Sequence, residues 1–290
     1  MKFSHIILTI VLAAMVSLGV NHFQKPVSGT AATKESVYDR VMRTGTLNCG
    51  YFVWPPLHIK DANTGAFSGI SYDMIMELAK STGLQVNWAG ELNFGTFVQD
   101  IHDARYDAEC GQGWPNGLRG KLVYYSKPYA FIPLVPVVRA NDLRFDGDSA
   151  SLNSPAVKIA TIDGETSAMV ARSRLPQAMQ VTLPQNAGAT DIFMNVTSGK
   201  ADATLTDALT AYGYIQANPG KLKIVHYEQP LHLVALNSTL PQDERLKNMF
   251  DVATDELLQN GTIEGILKKY EPVPGIIWRV NEVFEEPEGH

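Results

Sequence analysis

From Gly45 onward, short apolar runs alternate with longer stretches in which apolar residues recur every three to four positions. The apolar run at 47–52 predicts a strand, and the stretch at 71–82, followed by Gly83, predicts an amphipathic helix. A further apolar run at 84–89 predicts the next strand. Because strands joined through helices lie parallel, this alternation predicts an α/β fold with mostly parallel sheets.

The same pattern of strands and helices occurs a second time along the chain. Residues 157–162 and 179–184 predict strands, each followed by a stretch that predicts a helix. Two further apolar runs, at 131–138 and 231–237, flank this second set of elements. We interpret these runs as paired crossings between two lobes, which together form a hinge. The predicted boundaries are lobe 1 at 36–131 plus 236–275, lobe 2 at 132–235, and a C-terminal tail at 276–290.

The N-terminal segment has the pattern of an export signal. Lys2 precedes an apolar run of 15 residues at 6–20, and small residues follow at 29–32. We therefore predict a signal peptide at 1–32 and a periplasmic protein, and an uncleaved membrane anchor stays open as the alternative. We expect the exported protein to be a monomer.

The charged and sulfur-bearing residues exclude several classes of function. The formal net charge is −6 and the 24 Lys and Arg residues are scattered, which argues against nucleic acid as a partner. The histidines lack metal-ligand spacing, so we expect no metal and no cofactor. Cys49 and Cys110 are the only cysteines. In an oxidising compartment they either pair or remain two buried free thiols.

Five segments of the chain carry motifs that point to one known family. They are GISYDMIMELAKSTGL at 69–84, FGTFVQDIHDARYDAE at 94–109, Arg119 ahead of YSKPY, KADATLTD at 200–207 and NGTIEGILKKY at 260–270. In this order and spacing they resemble the extracellular family 3 group of periplasmic solute-binding proteins, which serve polar amino-acid uptake. The resemblance covers about residues 38–275. It implies the type II periplasmic-binding fold, in which two lobes, each a mostly parallel sheet flanked by helices, are joined by a two-strand hinge.

The resemblance implies a clamp for a zwitterionic ligand. Arg119 matches the arginine that grips the ligand's α-carboxylate, which a planar guanidinium holds through two parallel bonds. Across the cleft, Gly164 allows a close backbone approach and Thr166 offers a hydroxyl and free N–H groups to an anion. Asp207 matches the acid that accepts bonds from the α-ammonium. From the residues alone, bridging of surface carboxylates is the more ordinary role for Arg119, and Thr166 and Asp207 can equally cap helices.

The resemblance also implies an aromatic wall. Trp54 and Phe94 match positions whose rings enclose the ligand side chain in relatives, although without the resemblance both would be assigned to the core. The chain departs from the family pattern at Tyr51, where many relatives have Asp, and at Trp114, where they have Ser or Thr. An acid lost and an indole gained favour a ligand with an uncharged or aromatic side chain. The residues of the loop GQGWPNG that we predict to reach the ligand are Gln112, Gly113 and Trp114.

These residues favour a binding protein over an enzyme. We predict that the two lobes close over one small zwitterion, an α-amino acid, and that the closed protein delivers it to an ABC permease in the membrane. The alternative is an enzyme on the same scaffold, because some relatives dehydrate cyclohexadienyl acids such as prephenate or arogenate. Glu165 would then be the general acid. A ligand-sensing accessory protein is a third interpretation, and its sequence would look alike.

Overall fold

A computed structural model describes residues 35–146, 149–225 and 230–280. The predicted signal peptide and residues 281–290 of the predicted tail lie outside the described residues. Within the described ranges, no helix is both long and apolar enough to cross a membrane. Strands and helices alternate in these ranges, which confirms the predicted α/β class.

We number the helices and strands in chain order. The α-helices of the described ranges are α1 (Val37–Thr44), α2 (Ile70–Thr82), α3 (Phe97–His102), α4 (Thr166–Arg174), α5 (Ala189–Thr197), α6 (Ala208–Ala217), α7 (Glu244–Gln259) and α8 (Thr262–Tyr270). The strands are β1 (Thr46–Tyr51), β2 (Ile59–Lys60), β3 (Phe67–Ser68), β4 (Gln85–Glu91), β5 (Ala108–Glu109), β6 (Tyr124–Tyr125), β7 (Ala130–Arg139), β8 (Lys158–Ile162), β9 (Met179–Leu183), β10 (Ala203–Asp207), β11 (Leu222–Ile224), β12 (His232–Leu236), β13 (Thr239–Leu240) and β14 (Trp278–Arg279).

The first lobe is built on a five-stranded sheet with the strand order β4-β1-β5-β13-β6. β1 pairs in parallel with β4 and β5, whereas β13 lies antiparallel between β5 and β6. Helix α2 packs on β4 and buries Met74, Ile75 and Leu78. It ends at Gly83, whose φ of 71° is a left-handed conformation that glycine adopts without strain. Helices α7 and α8 pack on α2, so the last helices of the chain belong to this lobe.

The second lobe is built on a seven-stranded sheet whose main path has the order β11-β7-β10-β8-β9. β8 pairs in parallel with β9 and β10, whereas β7 is antiparallel to β10 and β11. Helix α4 follows β8 and helix α6 follows β10. The turns at the carboxyl ends of these two parallel strands contact the first lobe, which is where open α/β sheets place their ligands.

The connection between the lobes contains two paired strands. The first half of β7 pairs antiparallel with β12, beginning with Ala130 opposite Leu236. The second half of β7 pairs with β10 inside the second lobe. A third strand, β14, also pairs with β7, with Trp278 opposite Phe131. The segment predicted as a tail therefore begins as part of this sheet. Arg279 anchors it to helix α8 through an ion pair with Glu264.

A disulfide joins Cys49 and Cys110, so the structure decides between the two alternatives in favour of pairing. Cys49 lies on β1, and Cys110 directly follows β5, which is the parallel neighbour of β1. Both residues are buried. The bond therefore links two adjacent strands of the first sheet across 61 residues of sequence.

Candidate ligand-binding site

Arg119 reaches from the first lobe to the second. It begins a short 3-10 turn, Arg119–Lys121, between β5 and β6. Its Nη2 donates to the Gly164 carbonyl at 2.7 Å, and its Nη1 donates to Thr166 Oγ1 at 3.1 Å. The guanidinium also lies 4.8 Å from the ring centroid of Phe97, at cation–π distance. Arg119 therefore lies between the lobes, in contact with both predicted partners.

The turn between β8 and α4 presents these partners. Gly164 has a φ of 79°, in the left-handed region. A Cβ at this position would lie 2.8 Å from the carbonyl oxygen of Phe94, so glycine permits this close approach of the lobes. Glu165 caps α4, because its Oε2 accepts from the Ser167 amide at 2.8 Å. Thr166 is thus the first residue of the helix, where the partial positive charge of the helix N-terminus favours an anion.

Asp207 ends β10 and caps α6. Its Oδ1 accepts from the Thr210 amide at 2.9 Å. Asp207 therefore has the helix-capping role that its place before α6 in the sequence also allowed. Its Oδ2 accepts from the indole N–H of Trp54, a residue of the first lobe, at 3.0 Å. Burial raises the pKa of Asp207, and the bonds from Thr210 and Trp54 oppose that shift. Asp207 therefore makes a second polar contact between the lobes.

A cavity lies between these contacts. Its volume is about 10 Å³, which is about the space that one water molecule needs. In this arrangement of the lobes, the space is too small for a solute much larger than water. The residues that line the cavity are Phe52, Trp54, Phe94, Phe97, Gln112, Trp114, Arg119 and Thr166.

Aromatic rings form most of the cavity wall. Phe52 stacks on Phe94 with ring centroids 4.5 Å apart. Trp54 stands edge-on to Phe94 at 5.9 Å and edge-on to Trp114 at 6.2 Å. These stacked and edge-on geometries are the ones that aromatic pairs prefer, so the rings form a well-packed cluster.

A sequence model of the bacterial extracellular solute-binding proteins, family 3, matches residues 47–272. The chain belongs to this family. The matched range includes both sheets, apart from Thr46 and strand β14, and the paired strands β7 and β12 that connect them. The predicted family is confirmed.

Relatives of this family 3 protein include an enzyme and a transport component. The chain is 26% identical over 225 residues to the cyclohexadienyl dehydratase of Pseudomonas aeruginosa, covering 77% of this chain and 82% of that protein. It is 22% identical over 231 residues to a Haemophilus influenzae protein named "Probable amino-acid ABC transporter-binding protein", covering 79% and 86% of the two chains. The crystal structure of the ancestral amino acid-binding protein AncCDT-1, a precursor of cyclohexadienyl dehydratase, matches with a TM-score of 0.72 at 26% identity, covering 81% of this chain and 99% of that one. The predicted two-lobe type II periplasmic-binding fold is confirmed by this likeness.

In this family 3 protein, the structure brings most of the predicted site residues together. Trp54, Phe94, Gln112, Trp114, Arg119 and Thr166 line the cavity, and Gly164 and Asp207 bond to two of them. Gly113 instead lies beside the connecting strands, where its N–H donates to the Asn237 carbonyl at 2.9 Å.

Tyr51 is not brought to the cavity. Its ring packs against His58 at 5.3 Å and Phe67 at 5.0 Å, and its hydroxyl accepts from Lys60 at 3.1 Å. Successive side chains at the end of β1 point to opposite faces of the sheet, so the next residue, Phe52, lines the cavity instead.

Phe52 and Phe97 line the cavity but were not among the predicted site residues. Phe52 directly follows a parallel strand, which is a signal that sequence reasoning could have used. Phe97 has the spacing of a core residue on α3, and nothing in that spacing distinguishes the cavity from the core.

Two buried carboxyl groups interact electrostatically with Arg119 in this family 3 site. Glu109 is fully buried on β5, where its Oε1 accepts from the Gln112 amide at 2.7 Å and its Oε2 accepts from Thr239 Oγ1 at 3.0 Å. Burial raises the pKa of Glu109 to about 7, and burial likewise raises the pKa of Glu165 to about 7. Burial lowers the pKa of Arg119, an effect that Tyr125 and both carboxyl groups oppose. The charged guanidinium of Arg119 can hold an anion in this site. In the described part of the chain, no group of three or more His, Cys, Asp or Glu residues is placed to bind a metal ion.

Proposed function

We propose that this protein binds a small zwitterion, an α-amino acid with an uncharged or aromatic side chain, between its two lobes and delivers it to an ABC permease. The proposal locates the protein in the periplasm. The observation that carries it is the contact of Arg119 with Gly164 and Thr166, at 2.7 and 3.1 Å, in the wall of an aromatic cavity.

The carboxylate end of the solute is assigned to Arg119 and the start of α4. A guanidinium offers two parallel N–H donors that match a carboxylate, and charge-assisted bonds of this kind are stronger than neutral ones. Thr166 adds a hydroxyl and the partial positive charge of a helix N-terminus. These groups lie in a largely water-excluded space, which strengthens their attraction for an anion.

The ammonium end of the solute is assigned to Asp207. The Oδ2 of this residue accepts from the indole N–H of Trp54 in the first lobe. The rest of the solute would contact ring carbons of Phe52, Phe94 and Phe97. None of the eight lining residues, all of them described, carries a carboxylate. A lysine or arginine side chain would therefore find no counter-ion in the wall, which favours an uncharged side chain.

The proposed motion is a hinge closure. Strands β7 and β12 connect the lobes as an antiparallel pair, and β7 is shared with the sheet of the second lobe. Small dihedral changes near the start of this pair would separate Arg119 from Gly164 while each sheet moves as a rigid body. Similarity to the Haemophilus influenzae protein named "Probable amino-acid ABC transporter-binding protein" supports the proposed delivery to a permease.

Thermal unfolding against a ligand panel tests the proposal. The purified protein would be refolded to remove any carried solute and melted with each of the twenty amino acids and a set of small organic acids and amines. A solute at 100 times its dissociation constant adds about 2.7 kcal/mol of stability, which raises the melting temperature by several degrees. A shift from one or a few uncharged amino acids supports the proposal. A shift from organic acids or amines alone, or from nothing, would contradict it.

A dehydratase activity is the second candidate, and the buried Glu165 is the observation that favours it. Its pKa, raised by burial to about 7, suits a general acid near neutral pH, and it adjoins the cavity residue Thr166. Its Oε2, however, already accepts from the amide and the hydroxyl of Ser167. The test is the formation of phenylpyruvate from prephenate, followed by absorbance. Turnover that Glu165→Gln abolishes would establish this activity, and no turnover at micromolar protein would exclude it.

A further inference from the structure

Trp114 has an unusual backbone conformation at the edge of the cavity. Its φ is 41°, in the left-handed region, which bulky residues rarely adopt. Hydrogen bonds on both sides of the Trp114 α-carbon hold its backbone in this conformation. The N–H of Gly113 donates to the Asn237 carbonyl at 2.9 Å, and the carbonyl of Trp114 accepts from Arg119 Nη1 at 3.2 Å. Such strain persists where the surrounding structure imposes it, and it concentrates at functional sites.

The indole N–H of Trp114 lacks a partner although the residue is only 6% exposed. Trp54, its edge-on neighbour, differs in this respect, because its indole N–H donates to Asp207. Among the eight described residues that line the cavity, Trp114 is the one whose buried side-chain donor is unpaired. Buried indole N–H groups usually find an acceptor, so an unpaired one in a cavity wall points to an acceptor on the occupant.

We infer that the indole N–H of Trp114 donates a hydrogen bond to an oxygen of the bound solute, and that Trp114 thereby determines specificity. This inference rests on the proposed function. The oxygen belongs either to the carboxylate or to a polar side chain of the solute, and both share the chemistry of a hydrogen-bond acceptor. A solute without an oxygen in that place leaves the donor buried and unpaired, so the site rejects it.

Nuclear magnetic resonance of the indole groups tests this directly. The chain has 4 tryptophans, so the full-length protein gives a small set of indole N–H signals, and Trp114→Phe identifies the signal of Trp114. The probe is the amino acid, among the twenty standard ones, that gives the largest melting shift. At saturation, we expect the Trp114 proton signal to move downfield and to exchange more slowly with solvent. The signal of Trp88, which lies outside the cavity, serves as the internal reference.

Titration calorimetry gives the second readout. We expect Trp114→Phe, which keeps a ring and loses the N–H, to weaken probe binding about tenfold, the effect of one hydrogen bond to a charged acceptor. Trp88→Phe is the matched control and should stay within about twofold of the wild type. Repeating the titration with the decarboxylated amine of the probe, which has no α-carboxylate oxygen, separates the two oxygens. The effect of Trp114→Phe disappears with the amine if the carboxylate is the acceptor, and it persists if a side-chain oxygen is.

The outcomes separate this inference from the proposed function. If no amino acid binds the wild type, the proposed function fails and this inference fails with it. If an amino acid binds but the Trp114 signal stays in place, the inference alone is overturned, whatever happens to affinity. A signal that moves without any loss of affinity in Trp114→Phe would also overturn the role in specificity.

Discussion

The indole nitrogen of Trp54 in the first lobe donates to Asp207 Oδ2 at the start of α6 in the second lobe, at 3.0 Å. The other oxygen of Asp207 caps α6 through the Thr210 amide. One carboxylate therefore caps the start of a helix and also joins the lobes. A ligand ammonium bound at Asp207 would share or displace the bond from Trp54.

Asp207→Asn tests the ammonium role while keeping an oxygen for the helix cap. We expect amino-acid affinity to fall at least about 30-fold, because a desolvated charge pair contributes about 2 kcal/mol or more. The affinity of the same acid without its amino group should change less than about threefold. Calorimetric titration of both solutes measures the difference. An equal loss for both would show that Asp207 acts on the fold and not on the ammonium.

Arg119→Ala tests the carboxylate role. We expect the same amino acid to lose at least about 30-fold in affinity, for the same electrostatic reason. Arg119→Lys keeps the charge but loses the planar fork, so it should give an intermediate loss of about tenfold. Arg105→Ala is the matched control, since that side chain is 70% exposed and pairs with Asp100 on the surface. An affinity of Arg119→Ala within about threefold of the wild type would remove the carboxylate role.

Gly164→Ala tests the close approach of the lobes. The added Cβ would lie 2.8 Å from the Phe94 carbonyl oxygen, so closure should be impeded and ligand affinity should fall at least about tenfold. Gly199→Ala is the control, because Gly199 has a similar φ of 75° but open space around the added Cβ. Small-angle scattering with saturating solute should report a larger radius for Gly164→Ala than for Gly199→Ala. The same radius and affinity in both variants would contradict this role.

Removal of the disulfide tests its contribution to stability. Replacing Cys49 and Cys110 together by Ser should lower the free energy of unfolding by about 4 kcal/mol, since the bond closes a loop of about 60 residues in the unfolded chain. Denaturant unfolding measures the change. A reducing agent should destabilise the wild type and leave the double variant unchanged. Equal stability of oxidised and reduced wild type would mean that the bond does not constrain the unfolded chain.

Glu109→Gln tests the pH dependence of stability. Burial raises the pKa of Glu109 to about 7 from an ordinary value of 4.5, so the folded state holds a proton that the unfolded chain has already lost. The free energy of unfolding should therefore fall as pH rises from about 5 to 8, by up to about 3 kcal/mol from this group. The pKa of His58, lowered by burial to about 4, acts in the opposite direction below pH 6.5.

The difference in the free energy of unfolding between the wild type and Glu109→Gln isolates the contribution of Glu109, because His58 and Glu165 are present in both proteins. Unfolding curves at pH 5, 6, 7 and 8 should show Glu109→Gln gaining stability relative to the wild type as pH rises. A constant difference across this range would mean that Glu109 does not titrate there.

Several features of the fold and the site could be predicted from sequence because they are local. Helix α2 extends over Ile70–Thr82, within one residue of the predicted 71–82, since a 3.6-residue period and a terminal glycine define it without any distant contact. Arg119 and Thr166 could be singled out because the resemblance to the family implies ligand-binding roles at their positions, whereas the residues alone also allowed a surface ion pair and a helix cap.

The amino-acid sequence by itself determined the alternation of strands and helices and the family. Only the tertiary structure decided that Phe52 and not Tyr51 lines the cavity, and that Cys49 pairs with Cys110. It also decided that the indole N–H of Trp54 donates to Asp207. Trp54 and Asp207 are 153 residues apart, and local periodicity carries no information about which distant surfaces meet. Periodicity shows that a side chain is buried, but it cannot show whether the side chain faces a core or a cleft, because both surfaces are apolar.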